Sequence, residues 1–174
     1  MTLNREKFNS LVHYICFRTE PSKLGAVKLN KILWLSDFTA FHDYGSPITG
    51  ARYVKRQFGP VPGAITTAIR ELEAARSISV SHVPFHRHTK DHFRALSQPA
   101  MGSFSDAELK IIDRMIEFVS NEHTAKSISE FSHDHVWQAA RDGEEIPYYT
   151  VFTVQEDLQE ADLEWARREI ESIG

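Results

Sequence analysis

The segment from Ala26 to Asp43 constrains the fold more than any other part of the sequence. A helix formed there has no polar side, and such a helix has to be covered by other elements on several sides. The segment is also too short to span a membrane, because a span needs about 20 residues that are predominantly apolar. It is therefore predicted to be the central helix of the core. Its apolar residues are Leu29, Ile32, Leu33, Trp34, Leu35, Phe38 and Phe41.

Further helices are predicted around this one, because apolar residues recur elsewhere at helical spacing. Several of these runs begin at residues that commonly cap helices, namely Asn4, Ser105, Thr124 and Asp134. Ser105 is followed three residues later by Glu108, which is the pattern of a capping box. The predicted helices cover 5–18, 61–76, 106–121, 125–131, 135–140 and, in the acidic C-terminal segment, about 155–173.

Two stretches lack helical spacing. Residues 48–58 are rich in β-branched and aromatic side chains, which predicts one or two short extended segments. The Gly-Pro-Val-Pro sequence at 59–62 is typical of a turn that leads into the next helix. Residues 78–96 alternate apolar and polar residues around a polar centre, as in a β-hairpin. The fold class expected is mainly α, a single compact helical domain over 1–174 with a small β component.

The two halves of the chain carry opposite charge. Residues 1–90 contain 13 Lys and Arg against 6 Asp and Glu, whereas residues 91–174 contain 7 against 18. Such asymmetry fits either a basic surface for a partner or two halves that neutralise each other in the fold. The single Cys16 cannot form an internal disulfide, and the N-terminal residues lack the apolar core of a signal peptide, so a cytoplasmic location is expected.

Histidines are the first candidates for chemistry, because the chain has nine of them. A zinc site needs several converging ligands, yet HExxH and CxxC motifs are absent, so a solvated hairpin and a capped helix start are the favoured interpretations. The P-loop, GxSxG and GxGxxG motifs are absent as well. We expect no metal, no cofactor and no enzymatic activity, with a metal-dependent enzyme as the less favoured alternative. The histidines weighed are His82, His86, His88 and His92 in the predicted hairpin, and His133 and His135 beside Asp134.

A basic and aromatic segment is the better candidate for function. The basic residues Arg52, Lys55 and Arg56 are interleaved with the aromatic residues Tyr53 and Phe58. Arginine offers two parallel hydrogen bonds to a carboxylate or phosphate, and an aromatic ring offers a stacking face. Protein binding is favoured here over DNA binding, because the acidic second half disfavours affinity for polyanions and no helix is rich in Arg, Lys, Asn and Gln. A merely solvated charged edge is the remaining alternative.

Three stretches together resemble the Panacea domain family, the SocA-like antitoxins. They are VKLNKILWLSDFTAFHDYGSPI at 27–48, ARYVKRQFGPVP at 51–62 and SHDHVWQAARDGEEIP at 132–147. The chain departs from the family pattern at Ile32 and Trp34, which stand where the family has Leu and Tyr. The residues that match the family motifs are Lys28, Leu29, Lys31, Tyr44, Gly45, Gly59, Pro60, Ser132, His133 and Trp137.

This resemblance implies a bacterial or phage-encoded antitoxin that binds a toxin encoded beside it. It brings no catalytic residues. Some relatives act as adaptors that deliver a toxin to a protease, so proteolytic delivery and DNA-binding regulation are the alternatives to direct neutralisation. We expect the basic segment from Arg52 to Phe58 to be one contact with the toxin, and the acidic C-terminal helix to be another.

Overall fold

The computed structural model describes residues 1–85 and 88–153. The expectation of a mainly α fold with a small β component is confirmed. His86 and the acidic helix predicted at about 155–173 lie outside the described residues. The helices are α1 (Arg5–Arg18), α2 (Ala26–Tyr44), α3 (Ile65–Ala74), α4 (Asp106–Glu117), α5 (Ala125–Phe131) and α6 (His135–Ala139), and the strands are β1 (Tyr53–Arg56), β2 (Gly59–Pro62), β3 (Ile78–Phe85) and β4 (His88–Ala95).

Helix α2 lies at the centre of the core, as its composition predicts. It packs against α1, α4, α5, β2 and β4. Leu29, Ile32 and Leu33 are fully buried within it. The helix ends at Gly45, whose backbone is left-handed with φ of 70° and whose N–H donates to the carbonyl of Phe41. Glycine suits this position because the left-handed conformation costs it nothing.

The caps predicted from the sequence are confirmed. Asn4, Thr124 and Asp134 accept hydrogen bonds at the starts of α1, α5 and α6, and Ser105 and Glu108 form the capping box of α4. The helix predicted over 106–121 is shorter than expected. It ends at Glu117 and continues as a π-helical turn, Phe118–Glu122, in which the Ser120 carbonyl accepts a hydrogen bond from Lys28 Nζ at 3.0 Å.

The prediction of a turn at 59–62 is wrong. Residues Gly59–Pro62 form β2, which pairs antiparallel with β1 from Tyr53 opposite Pro62 to Arg56 opposite Gly59. The tight turn between the strands is made by Gln57 and Phe58. Because residues 59–62 are held in this hairpin, α3 begins at Ile65 and not at Val61.

The second predicted hairpin is confirmed over almost its whole length. β3 and β4 pair antiparallel from Ile78 opposite Ala95 to Phe85 opposite His88. Ile78 and Phe93 are buried and anchor one face of the hairpin to the core. Among residues 1–85 and 88–153, no helix has the length and apolar character that crossing a membrane requires.

Candidate functional site

Residues from three separate motif stretches meet beneath the β1–β2 hairpin. Lys31, on α2, is only 1% exposed. Burial lowers the pKa of Lys31 to about 7, because a charged ammonium is costly to hold away from water. Among the residues that the structure describes, no charge of opposite sign contributes to this shift. A buried amine without a carboxylate beside it is unusual, because buried charges are normally paired.

Gly59 makes room for this amine. A Cβ atom on Gly59 would overlap both Lys31 Nζ and Ser132 Oγ. The backbone of Gly59 also has a φ of 103°, a conformation that side chains with a Cβ rarely adopt. Glycine is therefore required here twice, by the backbone and by the close approach of Lys31 and Ser132.

The link between α5 and α6 forms the other side of the cluster. Ser132 is fully buried, and its Oγ donates to the carbonyl of Ser129 at 2.8 Å. The His133 ring stacks on Trp137 with 3.7 Å between ring centroids and 9° between planes. Burial lowers the pKa of His133, and the positive charges of Lys31 and Lys55 lower it further. His133 is thus favoured in its neutral form beside the amine.

Trp137 ties α6 to the hairpin. Its indole N–H donates to the carbonyl of Arg56 at 3.1 Å, and Lys55 Nζ lies 4.1 Å from the ring centroid. Lys55 also donates to the carbonyl of Ala140 at 2.9 Å. The ring is half-buried and packs at the edge of the core, between a histidine and a lysine.

The predicted partner-binding segment separates into two groups. Arg52 binds the Glu145 carboxylate through Nε at 2.8 Å and Nη2 at 2.5 Å, and Arg56 pairs with Asp142 at 3.1 Å. Phe58 is 55% exposed at the hairpin turn. Arg52, Lys55, Arg56 and Phe58 are the exposed or partly exposed residues of the predicted segment, and we call them together the hairpin-tip surface.

Tyr53 does not belong to this surface. It is only 1% exposed, and its hydroxyl donates to Asp37 at 2.8 Å. Alternation along β1 puts Tyr53 and Lys55 on the same face, so the difference between them lies in what covers them. Tyr53 packs against Phe38 and Tyr148, whereas Lys55 reaches Trp137. The two ion pairs of the hairpin tip join the basic first half to the acidic second half, so part of the charge asymmetry is neutralised inside the fold.

Sequence reasoning missed a buried carboxylate network on α2. Asp37 is fully buried and accepts hydrogen bonds from the Thr49 N–H at 2.7 Å, the Thr49 hydroxyl at 2.5 Å and the Tyr53 hydroxyl. Tyr148 adds a longer contact at 3.4 Å. Burial raises the pKa of Asp37, and these hydrogen bonds oppose the rise. The sequence signal that could have indicated this network is an acidic residue in the middle of a largely apolar helix.

The other motif residues serve the fold. Leu29 lies in the core, Lys28 binds the carbonyl of Ser120, and Gly45 ends α2. Pro60 is buried opposite Lys55 in the hairpin. Tyr44 is exposed.

The histidines of the second hairpin and Cys16, which the sequence analysis considered for chemistry, lie in other parts of the molecule. His82 pairs with Asp91 at 2.7 Å across the β3–β4 hairpin. The residues that the structure describes contain no group of three or more His, Cys, Asp or Glu arranged to hold a metal ion. Cys16 is buried, and burial raises the pKa of its thiol to about 12, so the thiolate needed for nucleophilic chemistry is strongly disfavoured.

Comparison with protein families adds the decisive observation. A family model described as antitoxin SocA-like, Panacea domain, matches residues 29–138. The chain belongs to this family. Searches of curated proteins and of solved structures gave no match.

The Panacea domain match covers the whole buried cluster. Lys31, Gly59, Ser132, His133 and Trp137 all fall within residues 29–138. Asp142 and Glu145, which hold the arginines of the hairpin-tip surface, lie beyond it. The family match therefore contains the cluster, whereas the acidic partners of the surface belong to the part of the chain outside the match.

Proposed function

We propose that this protein is an antitoxin that neutralises a cognate toxin by direct, stoichiometric binding. Membership of the Panacea domain family supports a role in a toxin–antitoxin system. The main structural support for a binding mechanism is the hairpin-tip surface. It presents a large exposed aromatic side chain, Phe58, on the same hairpin segment as cations that are held by hydrogen bonds.

The geometry of this surface suits a protein partner. Aromatic and arginine side chains are the residues that most often dominate the energy of protein interfaces. Arg52 and Arg56 are fixed by Glu145 and Asp142, and Lys55 is fixed by Ala140 and Trp137. Side chains that are ordered before binding lose less conformational entropy when the complex forms.

The same ion pairs count against DNA as the main partner. A phosphate that approached Arg52 or Arg56 would meet the carboxylates of Glu145 and Asp142. Affinity for nucleic acid depends largely on cations that neutralise phosphates. Neutralisation of a toxin by occlusion requires no catalytic group. It requires a stable interface, and such interfaces bury about 1,200 to 2,000 Å² in total.

The C-terminal segment is proposed as a second contact. Residues 155–173 combine apolar side chains with many acids, which would complement a basic surface on a toxin. Deletion of residues 160–174 is expected to weaken toxin binding. Binding that is unchanged in a folded truncated protein would remove this second contact from the proposal.

The experiment that tests the proposal is co-expression with each adjacent open reading frame. We expect one neighbour to stop growth when expressed alone, and this protein to restore growth and co-purify with that neighbour. Rescue without a complex would favour proteolytic delivery or reversal of damage. Absence of toxicity from either neighbour would contradict the antitoxin role.

A matched pair of substitutions locates the interface. Phe58→Ala is expected to weaken both co-purification and rescue, because it removes the exposed aromatic side chain of the hairpin-tip surface. Phe17→Ala is the control, since Phe17 is similarly exposed but lies on α1. Equal effects of the two substitutions would exclude the hairpin tip as the contact.

A further inference from the structure

A groove of about 380 Å³ opens beside the hairpin-tip surface. One wall is the first turns of α2, with Val27, Asn30 and Lys31, and the other is the hairpin, with Phe58 and Val61. Arg56 and Asp142 also line it. The groove therefore joins the buried amine of the motif cluster to the exposed aromatic side chain of the proposed interface.

Two residues that line this groove are left partly unsatisfied by the described residues, Lys31 in its charge and Asn30 in its side-chain oxygen. Lys31 is almost fully buried, and burial is the only cause of its lowered pKa, so no described carboxylate compensates its charge. Asn30 Oδ1 is buried and accepts no hydrogen bond from residues 1–85 or 88–153. Leaving such groups unsatisfied is costly, and unsatisfied groups that persist call for an explanation.

The start of α2 adds to the positive character of the groove. Gly25 provides no side-chain cap, and the first turn contains no acidic residue. Ala26 and Val27, the first two helical residues, line the groove. Because the first N–H groups of a helix project outward at its N-terminal end and have no partners within the helix, this end of α2 favours negative charge.

We propose that this groove binds an acidic peptide segment of the protein partner. Its Asp or Glu carboxylate accepts a hydrogen bond from Lys31 Nζ, and one of its backbone N–H groups donates to Asn30 Oδ1. A neighbouring apolar side chain packs against Phe58 and Val61. The inference deepens the proposed function and rests on it, because it names the part of the partner that the groove recognises.

The walls of the groove favour a peptide over a small anion. Val27, Phe58 and Val61 offer apolar surface that a free phosphate would leave uncovered. Asp142 lies at the groove and repels a doubly charged anion more strongly than a single carboxylate. A carboxylate next to an apolar side chain matches both features.

The test is selection of a random 12-residue peptide library on the full-length protein. We expect enrichment of sequences with Asp or Glu beside an apolar residue. The selected peptide, made synthetically, should bind at least tenfold more weakly to Lys31→Met than to wild type, and replacing its acid by the amide should cause a similar loss. Lys126→Met is the matched control, because Lys126 is 86% exposed on α5, and it should bind like wild type.

A second pair of variants keeps the test valid if Lys31→Met does not fold. Phe58→Glu changes an exposed residue and should repel the acidic peptide, whereas Phe17→Glu should bind it normally. Selection of peptides without acids, or equal binding by Lys31→Met and wild type, would overturn the proposal. Binding only to a chain truncated after Thr153 would also overturn it, because the C-terminal segment of the protein would then be the occupant.

The toxin complex separates this inference from the proposed function. If the toxin co-purifies equally with wild type and Lys31→Met, the groove inference fails and the antitoxin role stands. If no neighbour is toxic and no toxin is bound, the proposed function fails. The peptide selection still reports on the groove in that case, and enrichment dependent on Lys31 would assign it to a different protein partner.

Discussion

Helix α2 carries three buried charged residues, and two of them, Lys31 and Asp37, differ completely in their surroundings. Asp37 accepts hydrogen bonds from Thr49 and Tyr53, and the Tyr148 hydroxyl, which donates to the Ala51 carbonyl at 2.5 Å, lies 3.4 Å from it. Lys31 faces a groove and has no described carboxylate beside it. The difference teaches that burial alone does not separate structural from functional residues. The fold satisfies the carboxylate of Asp37 with hydrogen bonds, whereas our proposal assigns Lys31 to a ligand.

The largest loss of stability is expected when Asp37, whose carboxylate is satisfied by hydrogen bonds, is replaced. Asp37→Ala should lower the free energy of unfolding by about 4 kcal/mol, since each buried donor left without an acceptor costs about 1 to 3 kcal/mol. Lys31→Met should leave stability within about 1 kcal/mol of wild type or raise it, because a buried unpaired charge is replaced by an apolar side chain. Urea unfolding at pH 7 measures both values. Similar losses of stability in the two variants would contradict the distinction between Asp37 and Lys31.

The second-largest loss of stability is expected when the space around the Lys31 amine is filled. Gly59→Ala should lower the free energy of unfolding by about 3 kcal/mol, because it combines backbone strain with overlap against Lys31 and Ser132. Gly45→Ala is the control, since Gly45 is also left-handed but an added methyl group there would meet no described atom within 4 Å. We expect a loss of about 1 kcal/mol there. Thermal and urea unfolding should rank the two variants in this order, and equal losses would mean that the close approach is unimportant.

The pH dependence of stability sharpens the comparison further. The pKa of Lys31 is lowered to about 7 in the folded protein, below the value in the unfolded chain. The unfolded chain therefore holds more protons between these two pKa values, and stability rises with pH above about 7 as the penalty for the buried charge disappears. Relative to Lys31→Met, wild type should gain about 2 kcal/mol between pH 7 and pH 9.

Urea unfolding of both proteins across this pH range provides the measurement. Subtracting the Lys31→Met curve removes the contributions of groups that do not interact with Lys31. His133 does interact with it, because the Lys31 charge lowers the His133 pKa, and the comparison is therefore made at pH 7 and above, where the lowered pKa favours the neutral ring. A difference that stays constant with pH would show that Lys31 keeps its proton throughout the range.

The smallest effect on stability is expected at the hairpin-tip surface. Arg52→Gln should change the free energy of unfolding by less than about 0.5 kcal/mol, because exposed ion pairs contribute little. It should slow association with the toxin, and the slowing should shrink with added salt, since exposed charges act mainly on encounter. Stopped-flow binding at two salt concentrations checks this. A large loss of stability would instead make Arg52 a structural residue.

Much of the fold could be predicted because its signals are local. The caps at Asn4, Ser105, Thr124 and Asp134 act within three residues, and the apolar surface of α2 is visible in its composition. The strand at Gly59–Pro62 could not be predicted in the same way. Its two prolines are typical of a turn, and its pairing with β1 becomes visible only when the hairpin is formed.

The site was harder to predict because its contacts span long distances in sequence. Asp37 is bonded to residues 12, 16 and 111 positions away. The family motifs indicated Lys31, Gly59 and Ser132 individually, but neither their spacing nor their composition shows that they meet. The alternation of β1 indicated that Tyr53 and its neighbours face opposite sides, without showing which side is buried.

The burial of Cys16 gives the protein a reporter of its own unfolding. It is the single cysteine of the chain, and its thiol is covered by the core in the folded state. A thiol-reactive dye will therefore label the protein mainly when the core opens. Slower labelling in the presence of a co-expressed toxin would measure the stabilisation that the complex provides, without any tag or engineered probe.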